Sequence, residues 1–536
     1  MKRSLLLSAF LLISVCLNAQ TTLTINTTTG GSLQTKFLIN SYDTAALINL
    51  TITGVLDAQD FRFIRDGLTS LAVLDISGTS IVSYTGPNGP MVGAPNRFYP
   101  ANELPYCAFF DPAGTHSGKP TLTSVILPNT LKNIGNYSLQ DCYSLASVTI
   151  PTSLDTIKPY AFHYDTALIN TNIPSGVDVI MEGAFQMSKG VTVDAGNANY
   201  SSLDGVLFNK NKSVLITCPY SKYTYTVPAS VDTLGFESFY GCRHLASVNI
   251  PTTVSQILNG AFSGSGLISV TIPSSVTRIE ESVFFYCQKL MSVSLPNTIT
   301  YLGFGAFYGC IALPSIDIPA SVDTIQAMCF YTDSAMTSVS LHQGIKYIGF
   351  ATFQGCSHLT SINIPTTLTS LSSSLFFYCK SLSNIIIPSS ITSIESSAFA
   401  KCYGLSSIYS ESVIPVDLSS SPGVFLGVDT NTCILYVPIG SVNLYESANQ
   451  WKDFNIMQEN DFGINTASAE GFKVFVENCN LNIWEIPYGE NVTIYTLQGI
   501  QILDQKMFSD RLTFRLPNKG MYIVKIGKKT GKVIAE

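Results

Sequence analysis

A 23-residue period runs through most of this 536-residue chain. It is plainest where FFYCQKLMSVSLPNTIT, Phe284–Thr300, returns in outline as FFYCKSLSNIIIPSSIT, Phe376–Thr392. A proline after each short apolar run marks the frame, at 128, 151, 174, 228, 251, 273, 296, 319, 365 and 388. The step is 23 residues with one of 22, and His342 holds the marker place once. The 54-residue gap between Pro174 and Pro228 is one period plus a 31-residue insertion. Fixed self-similarity of this length means stacked units, none of which buries its apolar face alone.

The columns of the repeat show which side chains are shared between units. Six positions before the marker stands Leu, as at Leu122, Leu145, Leu168, Leu245, Leu267, Leu290 and Leu313. Three and one before it stand apolar pairs such as Val148/Ile150 and Ile316/Ile318. Their alternation with polar residues predicts a half-buried strand in each coil. Eleven after the marker comes Phe in every frame from Phe162 to Phe399. Fourteen after comes Cys142, Cys242, Cys287, Cys310, Cys356, Cys379 and Cys402, with Asp165, Ser265 and Asp333 there in other frames. Buried cysteine behaves as a small hydrophobe, so this file reads as a structural ladder of free thiols.

The pattern L-x-S-V-x-I-P-x-S-V-x-x-I-x-x-x-A-F-x-x-C resembles the BspA-type leucine-rich repeats of bacterial surface proteins, over roughly residues 45–455. The resemblance implies a leucine-rich repeat solenoid, with one β-strand plus irregular, short helical or 3-10 segments per coil. Leu47–Thr79 looks like the helix-containing first coil, and residues 20–120 are expected to hold the leader and capping repeats. Residues 121–455 hold the repeats, with a hairpin insertion near 189–220. Ile434–Phe454 looks like the divergent last coil, and 456–470 reads as a polar linker.

Residues 471–536 drop the period for alternating strands with glycines at turns, which predicts a small all-β sandwich. This tail resembles the C-terminal sorting domain of the type IX secretion (Por) system of Bacteroidetes. The matching stretches are V-T-I-Y-x-x-x-G, G-M-Y-I-V-K-I and the basic end around Lys525–Lys532; KVFVENCNLNI stands where the usual Y-P-N-P opening belongs. The resemblance implies recognition by secretion machinery at the outer membrane. At the other end, Lys2 and Arg3, the apolar Leu5–Leu17 and Ala19 before Gln20 predict a signal peptide over 1–19. Cys16 raises a lipid-anchor alternative, which the bulky Val15 before it disfavours. No later stretch reads as a transmembrane segment.

Two surfaces are candidates for recognition. The outward strand positions, four and two before the marker, form a hydroxyl-rich neutral ladder: Ser247/Asn249, Ser269/Thr271, Ser292/Ser294, Ser315/Asp317, Ser338/Ser340 and Ser361/Asn363. Twelve after the marker runs an aromatic stripe, Tyr240, Phe285, Tyr308, Tyr331 and Phe377, with Tyr164, Tyr286 and Tyr378 one position later. Exposed aromatics of this kind suit protein hot spots or sugar faces, and the competing reading is packing between coils.

Several function classes are disfavoured. A net charge of −7, a pI near 5.3 and the lack of any basic run argue against nucleic acid. His116, His163, His244, His342 and His358 fall at no ligand spacing, and no nucleophile–base set, carboxylate pair or phosphate loop is apparent, so no catalytic, cofactor or metal residue is assigned. The expectation is a non-catalytic binding protein, secreted or held on the outer surface of a Gram-negative bacterium. Its partner would be an extracellular protein or glycan. Adhesion to host matrix or to other bacteria is what the family resemblance implies; the alternative is a carbohydrate-binding accessory for glycan acquisition.

Overall fold

The computed structural model describes residues 21–91, 93–169, 171–460, 472–477, 480–496, 500–517, 520–527 and 529–535. The expected signal peptide and residues 461–470 of the expected linker lie outside the described residues. The chain divides into two compact units between Lys210 and Asn211.

In the first unit, three long parallel strands, Thr22–Thr27, Asn49–Leu56 and Val73–Ile81, open a sheet that the repeat strands Ser124–Ile126 and Ser147–Thr149 continue. The helix expected in the first coil spans Ala58–Gly67. It starts there because Asp57 caps it: the Asp57 carboxylate accepts from the Gln59 N–H at 2.8 Å, and the Asp60 carboxylate accepts from the Asp57 N–H at 2.9 Å. Its inner face buries Phe61 and Ile64. A second parallel ladder joins Glu103–Leu104, Asn133–Ile134, Thr156–Ile157 and Val179–Ile180. The insertion contains a hairpin, Tyr200–Leu203 against Val206–Asn209, turned by Asp204 and Gly205. Both turn residues have positive φ, 52° and 83°, as a tight two-residue hairpin loop requires.

The second unit repeats one coil. Each carries a strand just before the marker and a second, two-residue strand five and six positions after it, and these pair in parallel with their counterparts one period on in runs of two to four strands. Thus Ser315–Asp317 pairs with Ser338–Ser340, and Thr324–Ile325 with Tyr347–Ile348. Between the two ladders the phenylalanines form a continuous stack. From Phe239 to Phe399 neighbouring ring centroids lie 4.9–5.7 Å apart with planes within 17° of parallel. All are essentially inaccessible to solvent.

Of the irregular, short helical or 3-10 segments expected within each coil, the irregular form is the one present: among the described residues, no helix falls inside 121–416. The cause is a pair of backbone columns that break any helical run. Nine after the marker, Glu237, Gly260, Ser282, Gly305, Met328, Ala351, Ser374 and Ser397 all have positive φ. Thirteen after, Gly241, Gly264, Tyr286, Gly309, Thr332, Gly355, Tyr378 and Lys401 do too. Left-handed residues at this spacing rotate alternate amides toward the neighbouring coil. Glu237, Phe239 and Gly241 N–H therefore donate to the carbonyls of Asn259, Ala261 and Ser263 one period away, and the pattern recurs along the unit. The side of the coil opposite the strand is thus also a backbone ladder.

The repeats end in strands Ile434–Pro438 and Ile456–Asn460, so the first five residues of the expected linker are a parallel strand of the last sheet. Buried Trp451 fastens this end, its indole N–H donating to the Val416 carbonyl at 2.9 Å. Beyond it are two antiparallel sheets. One joins Lys473–Glu477, Asn480–Trp484 and Arg511–Arg515; the other joins Gln501–Lys506, Asn491–Thr496, Gly520–Ile526 and Lys529–Ala535. Leu481, Ile483, Val492, Ile494, Val524 and Ile526 belong to their common core.

Candidate binding surfaces

In the strand ladder the residues three and one before the marker turn inward and those four and two before it turn out. Val270 and Ile316 are buried, while Ser247, Asn249, Ser269, Thr271, Ser292, Ser294, Ser315, Asp317 and Ser338 are exposed. These hydroxyls differ from those in neighbouring columns. Two after the marker, Thr253 and Thr298 donate to the carbonyls of Val231 and Val276 in the preceding coil, at 2.9 and 2.8 Å. Five before it, Thr337, Thr360, Ser383 and Ser406 do the same to Pro314, Thr337, Thr360 and Ser383. The structural hydroxyls therefore hold coil to coil, and the ladder columns face outward. An open concavity of about 380 Å³ lies on this face between two coils, lined by Ser247, Asn249, Thr252, Ser269, Thr271 and Pro273.

The ladder changes toward its C-terminal end. Ser340 and Ser361 are half-buried, and Asn363 is only 8% exposed. In the next two coils the outward position two before the marker is no longer small and polar: it is Ile386, then Tyr409, which stacks on Tyr436 at 4.5 Å. His342 lies 3.7 Å from the Asp317 carboxylate, which raises the imidazole pKa.

The aromatic stripe is half-buried at Tyr240, Phe285, Tyr308, Tyr331 and Phe377. Tyr308 and Tyr331 stack at 4.6 Å, and Phe285 sits 4.8 Å from Tyr308. Tyr308 and Tyr331 thus cover one ring face of each other, and Phe285 packs tilted against Tyr308. Tyr286 and Tyr378 are the accessible members, at 45% and 37%, and both occupy the left-handed column where other coils use glycine. The Lys380 ammonium lies 4.3 Å from the Tyr378 ring and Lys401 5.1 Å from Phe377.

The cysteine column is fully buried and unpaired. Its geometry explains the residue type. Cys287, Cys310, Cys356, Cys379 and Cys402 each donate S–H to the carbonyl of a buried phenylalanine in the preceding coil, over 3.0–3.2 Å. Burial pushes the Cys287 and Cys402 thiols up to about 12, which removes thiolate reactivity. Where the column holds Asp165 or Asp333, one carboxyl oxygen accepts from the Cys142 or Cys310 N–H at 2.9 or 2.8 Å. The second oxygen has no partner, and burial raises both carboxyls well above their usual range. His163 is likewise lowered to about 4 by burial. Among the described residues no group of three histidines, cysteines or carboxylates is placed to hold a metal ion.

The family model described as a BspA type leucine-rich repeat region, in six copies, matches residues 114–215, 217–335 and 324–416, more than half of the chain. The chain belongs to the BspA-type leucine-rich repeat family. A search of curated proteins finds no match. Among solved structures, this BspA-type chain is similar to a leucine-rich repeat protein from Eubacterium ventriosum, at 19% identity and a TM-score of 0.45, over 72% of this chain and 91% of that one. It is similar to one from Bacteroides ovatus at 22% identity and a TM-score of 0.43, over 73% and 92%. A leucine-rich cell surface protein from Faecalibacterium prausnitzii aligns at 22% and 0.39, over 63% and 82%.

Two features of this BspA-type coil escaped the column reading. The left-handed columns were visible as recurrent glycine at Gly241, Gly264, Gly309 and Gly355, diluted by Tyr, Thr and Lys elsewhere. In the first unit, nine after the marker, Tyr137 and Tyr160 stack at 5.3 Å, with Tyr106 edge-on to Tyr137 and the Arg97 guanidinium 3.8 Å over Tyr106. The glycine and serine of later coils hide this second aromatic run.

Proposed function

We propose that this is a non-catalytic recognition protein of the bacterial exterior, which binds an extended protein ligand along its strand face. The observation that carries the reading is the outward hydroxyl ladder from Ser247 to Ser338, exposed while the neighbouring hydroxyl columns bond to backbone. Small, neutral, evenly spaced donors and acceptors suit a backbone or a polar protein surface, with affinity spread over several coils. Adhesion to host matrix or to other bacteria is the role this supports. Export through the signal peptide over 1–19, and recognition of a C-terminal β-sandwich by type IX outer-membrane machinery, complete the proposal for a Gram-negative cell.

The test is a solid-phase binding screen of the full chain against immobilised matrix proteins, whole bacteria and glycans. Ser269→Arg with Ser292→Arg puts bulk and charge on exposed positions without touching the core; it should abolish binding and leave the melting temperature unchanged. Binding that survives both substitutions would remove the strand face from consideration. The alternative, a carbohydrate-binding accessory, rests on exposed Tyr286 and Tyr378. The mutual stacking of Tyr308 and Tyr331 counts against those two as sugar platforms, because a sugar ring needs a free ring face.

A further inference from the structure

The strand face is covered at one place by another part of the same chain. The Asp510 carboxylate of the C-terminal sheets accepts from the Asn363 side-chain amide at 3.0 Å, 147 residues away in sequence. Beside it the Arg511 guanidinium lies 4.5 Å over the Trp484 ring. Trp484, Asp510 and Arg511 share the wall of one small cavity with Asn363, Ile386 and Pro388 of the repeats. Burial there raises the Asp510 pKa and lowers that of Arg511 to about 10, as expected for charged groups shut away from water.

The repeat sequence changes at the same place. Two before the marker stand the small polar residues Asn249, Thr271, Ser294, Asp317 and Ser340, followed by Asn363 and then the apolar Ile386, and exposure falls from open at Asn249 and Thr271 to buried at Asn363. Apolar residues on the solvent side of a sheet need a cover. Resting on the strand-face reading above, we propose that the C-terminal sheets are an internal lid on the binding face. The lid occupies the strand face around Asn363, Ile386 and Pro388, and a ligand reaching them has to displace it. The surface beneath is fitted to a protein that offers what the lid offers: a carboxylate to Asn363 and His342, and an aromatic ring to Ile386. The coils marked by Pro251 and Pro273 stay open in the intact chain.

The buried thiols make this testable by labelling. In the full chain with Cys16→Ser and Cys479→Ser, every remaining native cysteine is buried. Two single additions share one column of the ladder, Thr271→Cys in an open coil and Asn363→Cys beneath the lid. The Asn363→Cys thiol should react with a maleimide at least roughly tenfold more slowly, because reaction requires a local opening. Adding Asp510→Ala with Arg511→Ala should raise that rate toward the Thr271→Cys rate and leave the latter unchanged. Equal rates at the two sites in the parent chain would overturn the lid, as would protection that survives the double change. The comparison between the two sites needs no substitution in the C-terminal sheets, so it holds even where the double variant misfolds. Adding an immobilised-protein ligand from the binding screen separates the two readings. Protection at Asn363→Cys without any binding keeps the lid and removes the ligand; binding with equal labelling keeps the face and removes the lid.

Discussion

Asp333 shows how a single side chain can oppose the column it stands in. The cysteine position offers one acceptor, the carbonyl of the preceding phenylalanine, and a carboxyl placed there keeps one oxygen buried without a partner. Its folded pKa is raised, so the unfolded chain releases the proton first. Stability from this group is therefore complete below the unfolded value near 3.9, and falls as pH rises from there toward the folded pKa. Asp333→Asn keeps the oxygen that accepts from Cys310 and removes the ionisation. It should be more stable than the parent at pH 7, with the gain shrinking toward pH 4, as urea melts at both values will show; a gain independent of pH would reject the buried-carboxyl account. Tyr286 opposes its column differently, at φ 53° where Gly264 and Gly309 stand one coil to either side. A left-handed non-glycine residue costs on the order of 1–2 kcal/mol, so Tyr286→Gly should leave stability unchanged or raise it by up to about 1 kcal/mol after the lost ring contacts. If the parent binds through this ring, the same variant binds less well, which a paired melt and binding assay would separate. The burial of the cysteine file was legible from its in-register spacing. The backbone strain was not, because Tyr, Thr and Lys mask the glycine rule.

The coil is the unit in which the columns act together. Leucine, valine and phenylalanine files were readable because each side chain meets its own copy one period away, and the parallel registers show that pairing. The segment between the two strands is irregular rather than helical, because paired left-handed columns send the amides to the next coil rather than back along the chain. That signal is conformational and leaves only a partial trace in composition. The phenylalanine stack should behave as one shared element. Phe307, between Phe284 and Phe330, makes ring contacts at 5.3 and 5.4 Å. Phe307→Ala should cost about 3–5 kcal/mol by transfer and cavity terms. Because coils are stabilised by their neighbours, it should also split the denaturation into two transitions. A single sharp transition with a loss under about 1 kcal/mol would show that the stack is not continuous.

At the scale of the whole chain, charge is sparse: 12% of residues are ionisable Asp, Glu, Lys or Arg, and the strand face is nearly neutral. Ligand binding there should change less than about threefold between roughly 50 and 500 mM salt, since few screened charge pairs are involved. A steep loss measured by biolayer interferometry would point instead to the cationic aromatic patch at Tyr378, Lys380 and Lys401. The repeat register was legible from the period, whereas Ile456–Asn460, expected to open a linker, pairs as a strand without the marker proline. The dressing of Ile386 and Tyr409 was also present in the sequence. Its meaning depended on an Asp–Arg pair more than a hundred residues away, which no local pattern connects to it.

Eleven cysteines that are silent in the native chain are all nucleophiles in the nascent one. In an oxidising compartment, coil formation then becomes a race against self-cross-linking: each phenylalanine carbonyl that captures a thiol takes it out of circulation, and any delay leaves it free to pair wrongly. A slow-folding variant of this protein should fail first as misbridged oligomers rather than as unfolded monomer.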